Sequence, residues 1–115
     1  MKLGERFGQS FSGPSEAYVN ECLERLEASD VVGFDVEGSG LDYFKNFICG
    51  YVFTFGPEEG DTYYLPVRHK GGGNIPGGRI PEHATDWAEG DDHPVEVRIR
   101  EIARSKPRTW YAHHA

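Results

Sequence analysis

The residues that decide the fold are 31–41, which read VVGFDVEGSGL. Apolar residues and carboxylates alternate here as in a β-strand, in which successive side chains point to opposite faces of the sheet. Asp35 and Glu37 therefore share one face, with α-carbons roughly 6.5 Å apart. Two neighbouring carboxylates repel each other unless a cation lies between them. Because a hard divalent ion such as Mg²⁺ prefers oxygen ligands, the pair is a candidate metal site.

Length and composition indicate a small globular protein. The chain of 115 residues has room for one domain or part of one. It contains no apolar run of about 20 residues that would span a membrane, and the N-terminus lacks the apolar core of a signal peptide. We therefore expect a cytoplasmic, intracellular protein with no membrane partner. Cys22 and Cys49 lie far apart in apolar patterns, which predicts two free, buried thiols.

The net charge of −7 argues against a protein that coats nucleic acid by neutralising its phosphates. It does not exclude an enzyme that acts on nucleic acid. Bound metal ions supply positive charge at a carboxylate-rich site, and a neighbouring domain can hold the substrate. We expect the chain to bind nucleic acid weakly on its own.

Two helices are predicted on either side of the strand region. Residues 1–12 show no periodicity and are expected to form a flexible lead-in. A first helix is predicted to begin at Gly13-Pro14, with the proline at the first helical position, and to end near Ser29-Asp30. A second is predicted from Pro94, capped by Asp92 or His93. Each carries an apolar stripe at helical spacing, formed by Val19, Cys22, Leu23 and Leu26 and by Val95, Ile99, Ile102 and Ala103. Glu96 and Arg100 have the spacing of a favourable ion pair on the second helix.

Three further strands are predicted. Residues 47–55 are apolar on both faces, as in a strand inside a covered sheet, and residues 62–67 follow after a turn. These two strands should pair as an antiparallel hairpin. Residues 109–112 resemble one more short strand. The aromatic residues of the hairpin are expected to be core residues rather than a base-stacking platform; they are Phe47, Tyr51, Phe53, Tyr63 and Tyr64.

Residues 68–93 are rich in glycine and proline and are expected to form a long, flexible loop. Their glycine cluster lacks the Gly-Lys-Ser/Thr ending of a phosphate-binding loop. His69, His83 and His93 lack the spacing of zinc ligands, so we expect surface histidines.

The order of elements predicts an α/β (α+β) protein. A three-stranded antiparallel meander followed by a helix and a strand is the beginning of the ribonuclease-H-like fold, in which carboxylates on the first strand lie at the centre of the sheet.

Particular motifs then carry a resemblance to a family. They are FDVEGSGL at 34–41, ICGY at 48–51, YYLPVRH at 63–69 and GNI at 73–75. Together they resemble the proofreading 3′-5′ exonuclease domain of family A DNA polymerases, most closely the phage-type members. The resemblance resumes at residues 110–115, WYAHHA, where a second motif would begin. His114 stands where the family usually has asparagine, and the third motif is missing. Residues 13–115 are therefore expected to be the truncated, N-terminal part of such a domain.

The resemblance implies a site with two divalent metal ions, Mg²⁺ or Mn²⁺. Asp35 would bridge both ions, while Glu37 would bind one of them and orient the attacking water. Leu41 would wedge against the terminal base, and His113 and His114 would line the substrate strand. The implied partners are a single-stranded DNA 3′ end and a polymerase domain in the intact protein.

Other interpretations stay open. An Asp-x-Glu pair at a strand end is, taken alone, more often a solvated edge. A stand-alone exoribonuclease of the same superfamily is one alternative, and a catalytically dead interaction or scaffold module is another. Because the later carboxylates of the family are missing, we expect the chain by itself to be incomplete or inactive and to degrade single-stranded DNA little if at all. A sheet cut after its fourth strand would also expose an edge and a face, which predicts self-association or a covering partner.

Overall fold

The structure is a computed structural model that describes residues 13–38, 48–69, 71–79 and 92–112. In these ranges the chain forms a mixed α/β fold with one four-stranded sheet, which confirms the expected class. A short 3₁₀ turn, Glu59–Asp61, precedes the third strand. The helices are α1 (Glu16–Ala28) and α2 (Pro94–Ser105), and the strands are β1 (Val31–Gly38), β2 (Ile48–Thr54), β3 (Thr62–Pro66) and β4 (Thr109–Ala112). Neither described helix has the length and apolar character needed to cross a membrane.

The strand order in the sheet is β3-β2-β1-β4. β1, β2 and β3 form an antiparallel meander, and β4 pairs with β1 in parallel. The predicted meander followed by a helix and a strand is therefore confirmed, including the β2–β3 hairpin. β1 has a neighbour on each side, so the two carboxylates belong to an interior strand.

The register of the meander separates the two faces of the sheet. Asp35 lies opposite Val52, and Glu37 lies opposite Gly50. Directly opposed residues project to the same face of an antiparallel pair. Tyr64 of β3 lies opposite Val52 and so belongs to this face too. We call the face that carries Asp35, Glu37, Gly50, Val52 and Tyr64 the acidic face.

The other face packs against both helices. The apolar stripes of α1 and α2 join the sheet in one buried cluster that includes Leu26, Phe53 and Ile102. Tyr51 and Tyr63 belong to this cluster as well, so they are core residues, as predicted. Cys22 and Cys49 are free and buried, also as predicted. Burial raises the pKa of the Cys22 thiol to about 12.

The start of α1 differs from the prediction. Ser15 is the N-cap, and its hydroxyl accepts a hydrogen bond from the Tyr18 amide at 3.1 Å. Pro14 thus precedes the cap instead of occupying the first helical position. The serine is the better cap because its side chain satisfies an amide that the helix leaves without a partner. The helix ends before Ser29, where the apolar stripe predicted it.

His93 caps α2 from inside the protein. It is fully buried, so the expectation of a surface histidine is wrong at this position. Its Nδ1 accepts from the Val95 amide at 3.0 Å, and its Nε2 lies 2.8 Å from the Ile75 carbonyl oxygen. Because Nδ1 accepts, Nε2 carries the proton and donates it to that carbonyl. Burial lowers the pKa of His93 and keeps the ring neutral.

Glu96 turns inward instead of pairing with Arg100. Its carboxylate accepts from the His93 amide at 2.8 Å and forms a buried ion pair with Arg68. The Tyr51 hydroxyl donates to its second oxygen. The expected Glu96–Arg100 pair is therefore wrong, because the first-turn glutamate closes a capping box. Arg100 binds Asp92 at 2.7 Å.

The beginning of the glycine-rich segment is anchored in the core. Residues 67–69 and 71–79 contain no helix or strand, as a loop predicts. Gly72, Gly73 and Gly77 have φ values of 93°, 75° and 115°, which only glycine adopts readily. However, Arg68 and Ile75 are each only 1% exposed. The beginning of this loop therefore packs into the protein, since Arg68 is held by Glu96 and donates to the Ile48 carbonyl at 2.6 Å.

Arg108 connects the two helix ends to β4. Its guanidinium donates to carbonyl oxygens that follow or end α1 and α2, namely those of Leu26, Glu27, Ser29, Ile102 and Lys106. The last carbonyls of a helix have no partner within it, so one cation satisfies both termini.

Candidate acidic site on the sheet

Asp35 and Glu37 are both carried on the acidic face of β1. Asp35 is half-buried, and its Oδ1 accepts a hydrogen bond from the Val36 amide at 2.8 Å. The Glu37 side chain is 54% exposed. A bulge follows at once, because the register between β1 and β2 shifts between Glu37 and Gly38. The sheet therefore presents two accessible carboxylates at the end of an interior strand.

Tyr64 reaches Glu37 across the width of β2. Its hydroxyl donates to Glu37 Oε2 at 2.6 Å, although the two residues belong to strands that are not adjacent. Gly50 lies between them and leaves room for the tyrosine ring. Burial, and then the hydrogen bond to Glu37, raise the pKa of Tyr64 well above its usual range.

His69 completes a chain of contacts that ends at Glu37. Its Nε2 is hydrogen-bonded to the Tyr64 hydroxyl and lies 4.0 Å from Glu37 Oε2. Asn74 holds the His69 backbone on both sides: Oδ1 accepts from the His69 amide at 2.7 Å, and Nδ2 donates to the His69 carbonyl at 2.8 Å. The His69 side chain is 30% exposed, so this histidine lies near the surface but takes part in the contacts of the acidic face.

Sequence reasoning assigned Tyr64 to the core and so missed both of these residues. The sequence contains a signal for this. In the alternation of β3, Tyr64 falls on the acidic face, and Gly50 is a small residue of β2, the strand between Tyr64 and Glu37. Recognising it requires the register of β2 against both neighbours. Three other predicted site residues, Leu41, His113 and His114, lie outside the described residues.

The two carboxylates of the site are suitable ligands for a hard divalent cation, but they do not complete its coordination. Asp35 and Glu37 supply carboxylate oxygens, which Mg²⁺ and Mn²⁺ accept. Among the described residues, no three histidine, cysteine, aspartate or glutamate side chains are grouped to hold a metal. The pair thus provides two ligands, and a complete coordination sphere requires others.

Comparisons with known proteins add no assignment. No protein-family model matches the chain, and no curated protein matches it significantly.

Proposed function

We propose that the chain belongs to a metal-dependent 3′-5′ exonuclease domain with a ribonuclease-H-like fold, which hydrolyses phosphodiester bonds at DNA 3′ ends as the proofreading domain of a DNA polymerase does. The observation that carries the proposal is the pair of accessible carboxylates, Asp35 and Glu37, on one face of the interior strand β1.

The topology around β1 supports this proposal. β1 runs antiparallel to β2 and parallel to β4, and Phe34 lies opposite Ala112 in the parallel pair. The carboxyl ends of β1 and β4 therefore meet at one edge of the sheet. In open sheets with parallel strands, sites form where such carboxyl ends meet.

The accessible carboxylates fit a polyanionic substrate only if a cation is present. An acidic protein with exposed Glu37 repels a phosphodiester, so the site requires positive charge from elsewhere. When bound, two divalent ions would activate the attacking water and stabilise the leaving oxygen. Asp35 and Glu37 would hold these ions together with ligands that lie outside the described residues.

The test uses the full-length protein and a 5′-labelled single-stranded DNA with Mg²⁺ or Mn²⁺. Asp35→Asn and Glu37→Gln should each lower the hydrolysis rate by about 100-fold or more, as expected when a ligand of a reacting metal is lost. Asp30→Asn is the matched control, since Asp30 is an exposed carboxylate that pairs with Lys106 at 3.1 Å. Undiminished hydrolysis in Asp35→Asn would overturn the proposal.

The same assay distinguishes the two alternatives. Removal of 3′ nucleotides from RNA at an equal or higher rate would replace the proofreading assignment with an exoribonuclease. A full-length protein with no metal-dependent hydrolysis of either substrate would instead favour an interaction module.

A further inference from the structure

We propose that Tyr64 and His69 are positioning residues for Glu37, which hold its Oε2 and leave Oε1 as the oxygen that faces a bound cation. The inference deepens the proposed function and rests on it for the role of Glu37. It starts from the two hydrogen bonds that link His69 to Tyr64 and Tyr64 to Glu37.

The direction of the chain follows from counting protons. A tyrosine hydroxyl has one proton to donate, and that of Tyr64 points to Glu37 Oε2 at 2.6 Å. The contact between this hydroxyl and His69 Nε2 must therefore use the Nε2 proton as donor. His69 thus donates to Tyr64, and Tyr64 donates to Glu37. Each donor increases the polarity of the next, so the carboxylate receives a strengthened hydrogen bond on one oxygen.

Each member of the chain is fixed by something other than Glu37. The Tyr64 amide donates to the Tyr18 hydroxyl of α1 at 2.8 Å, and the ring lies over Gly50. The His69 backbone is bound on both sides by Asn74. His69 and Tyr64 are therefore positioned independently of Glu37, and together they hold the Glu37 side chain, which would otherwise be mobile.

An unsupported glutamate at such a position would sample several rotamers. The Glu37 side chain is 54% exposed, and long side chains lose considerable rotamer freedom when they are ordered. A site that must hold a cation requires its ligands to be oriented beforehand, and residues behind the ligands commonly do this. Tyr64 takes one lone pair of Oε2, whereas no described residue donates to Oε1, so Oε1 is the oxygen more available to a cation.

The kinetic test compares Tyr64→Phe with Tyr111→Phe in the full-length protein. Tyr111 is an exposed tyrosine of β4 at 59% exposure and serves as the matched control. Loss of a residue behind a metal ligand typically lowers metal affinity or activity about 10- to 100-fold. Tyr64→Phe should therefore lower kcat by about tenfold and raise the Mg²⁺ concentration for half-maximal rate, with an unchanged KM for DNA. Wild-type kcat and Mg²⁺ dependence in Tyr64→Phe would overturn the proposal.

A conservative variant separates hydrogen bonding from general structural damage. His69→Gln retains an N–H donor near the position of Nε2, whereas His69→Leu removes it. We expect His69→Gln to recover most of the rate that His69→Leu loses. Equal losses in the two variants would contradict the direction that we assign to the chain.

A spectroscopic measurement tests the support without metal or substrate. In the ¹⁵N NMR spectrum of the neutral histidine rings, His69 should be in the Nε2–H form. Tyr64→Phe and Glu37→Gln should both shift its Nε2 signal, and Tyr111→Phe should not. An Nδ1–H form of His69 would overturn the proposal, because Tyr64 would then donate to the histidine.

The kinetic and NMR measurements test the proposed function and the positioning role separately. If the wild-type protein has no metal-dependent hydrolysis, the proposed function fails, and the NMR result alone decides whether Tyr64 and His69 hold Glu37. If hydrolysis requires Asp35 but is unaffected by Tyr64→Phe, the function stands and the positioning role fails.

Discussion

The ring of Tyr64 lies so close to Gly50 that any side chain at that position would have to displace it. A Cβ atom at Gly50 would lie 2.6 Å from two carbons of the Tyr64 ring and still closer to its hydroxyl oxygen. Gly50 thus has a steric role, since it lets a residue of β3 cross β2 and reach Glu37 on β1.

Gly50→Ala should displace Tyr64 and break its hydrogen bond to Glu37. We expect a loss of about 1–3 kcal/mol in the free energy of unfolding, as for other overpacked sites. Chemical denaturation measures the loss, and Gly60→Ala, which has no atom within 4 Å of the added carbon, is the control. If the clash is the cause, adding Tyr64→Ala should remove most of the cost of Gly50→Ala. Strict additivity of the two substitutions would show that the cause is different.

Arg68→Met should be among the most destabilising single substitutions of the described residues. It would leave the buried carboxylate of Glu96 without its cation, and breaking a buried ion pair in this way costs about 3–5 kcal/mol. Adding Glu96→Gln should restore part of the stability, because no uncompensated charge is then buried. Thermal and chemical denaturation of both variants provide the measurement.

The surface pair of Arg98 and Glu27 supplies the control for that prediction. The two side chains are 3.4 Å apart and 33% and 56% exposed. Arg98→Met should lower the free energy of unfolding by less than about 1 kcal/mol. A loss in Arg68→Met no larger than in Arg98→Met would contradict the assignment of a buried pair.

His93 should make the protein less stable at mildly acidic pH. Because burial lowers its pKa in the folded state, the unfolded chain binds a proton more readily than the folded chain. The contribution of His93 is therefore complete above the unfolded pKa of about 6.5 and is lost as the pH falls below it. For the one proton that His93 takes up, the free energy of unfolding changes by at most about 1.4 kcal/mol per pH unit.

His93→Asn isolates this contribution, because asparagine is also a good N-cap. The free energy of unfolding of each protein should be measured between about pH 5 and 8, where histidine titrates. The variant should be less stable at neutral pH but show a flatter decline with acidification. Parallel pH profiles of the two proteins would mean that another group causes the acid sensitivity.

Cys22 should be unreactive in the folded protein. Burial raises the pKa of its thiol to about 12, so almost no thiolate is present at neutral pH, and the side chain is fully buried. A thiol reagent at pH 8 should label Cys22 only as fast as the protein opens, but should label it at once in denaturant. Immediate labelling of Cys22 in native buffer would contradict the packing of α1.

The parts of the fold that were predictable are those in which neighbours along the chain determine the environment. The alternation of residues 31–37 placed Asp35 and Glu37 on one side of a strand, and the stripe of α1 identified its buried face. Both patterns repeat within a few residues, so local sequence contains them. The meander order followed because short turns join strands that pair.

Apart from the start of α1, where Ser15 binds an amide three residues on, the errors concern side chains whose partners are distant in the sequence. Glu96 matched Arg100 at helical spacing, yet its partner is Arg68, which lies 28 residues earlier. Tyr64 and His69 belong to the site only because the register of three strands brings them to Glu37. Such contacts depend on which helices and strands pack together, and the periodic pattern within one segment does not contain that information.

The position of Arg108 has a consequence for the order in which the protein folds. Its acceptors at the end of α1 lie 79 to 82 residues earlier, so the contacts close a very long loop. Contacts of this kind form slowly, because the entropy of loop closure is lost before the contact is gained. The carbonyls of Leu26 and Glu27 therefore gain the guanidinium of Arg108 only when β4 docks beside β1. We therefore expect the completion of the helix end and of the sheet to be coupled late in folding, although Ser29 already binds the carbonyls of Arg25 and Leu26 locally.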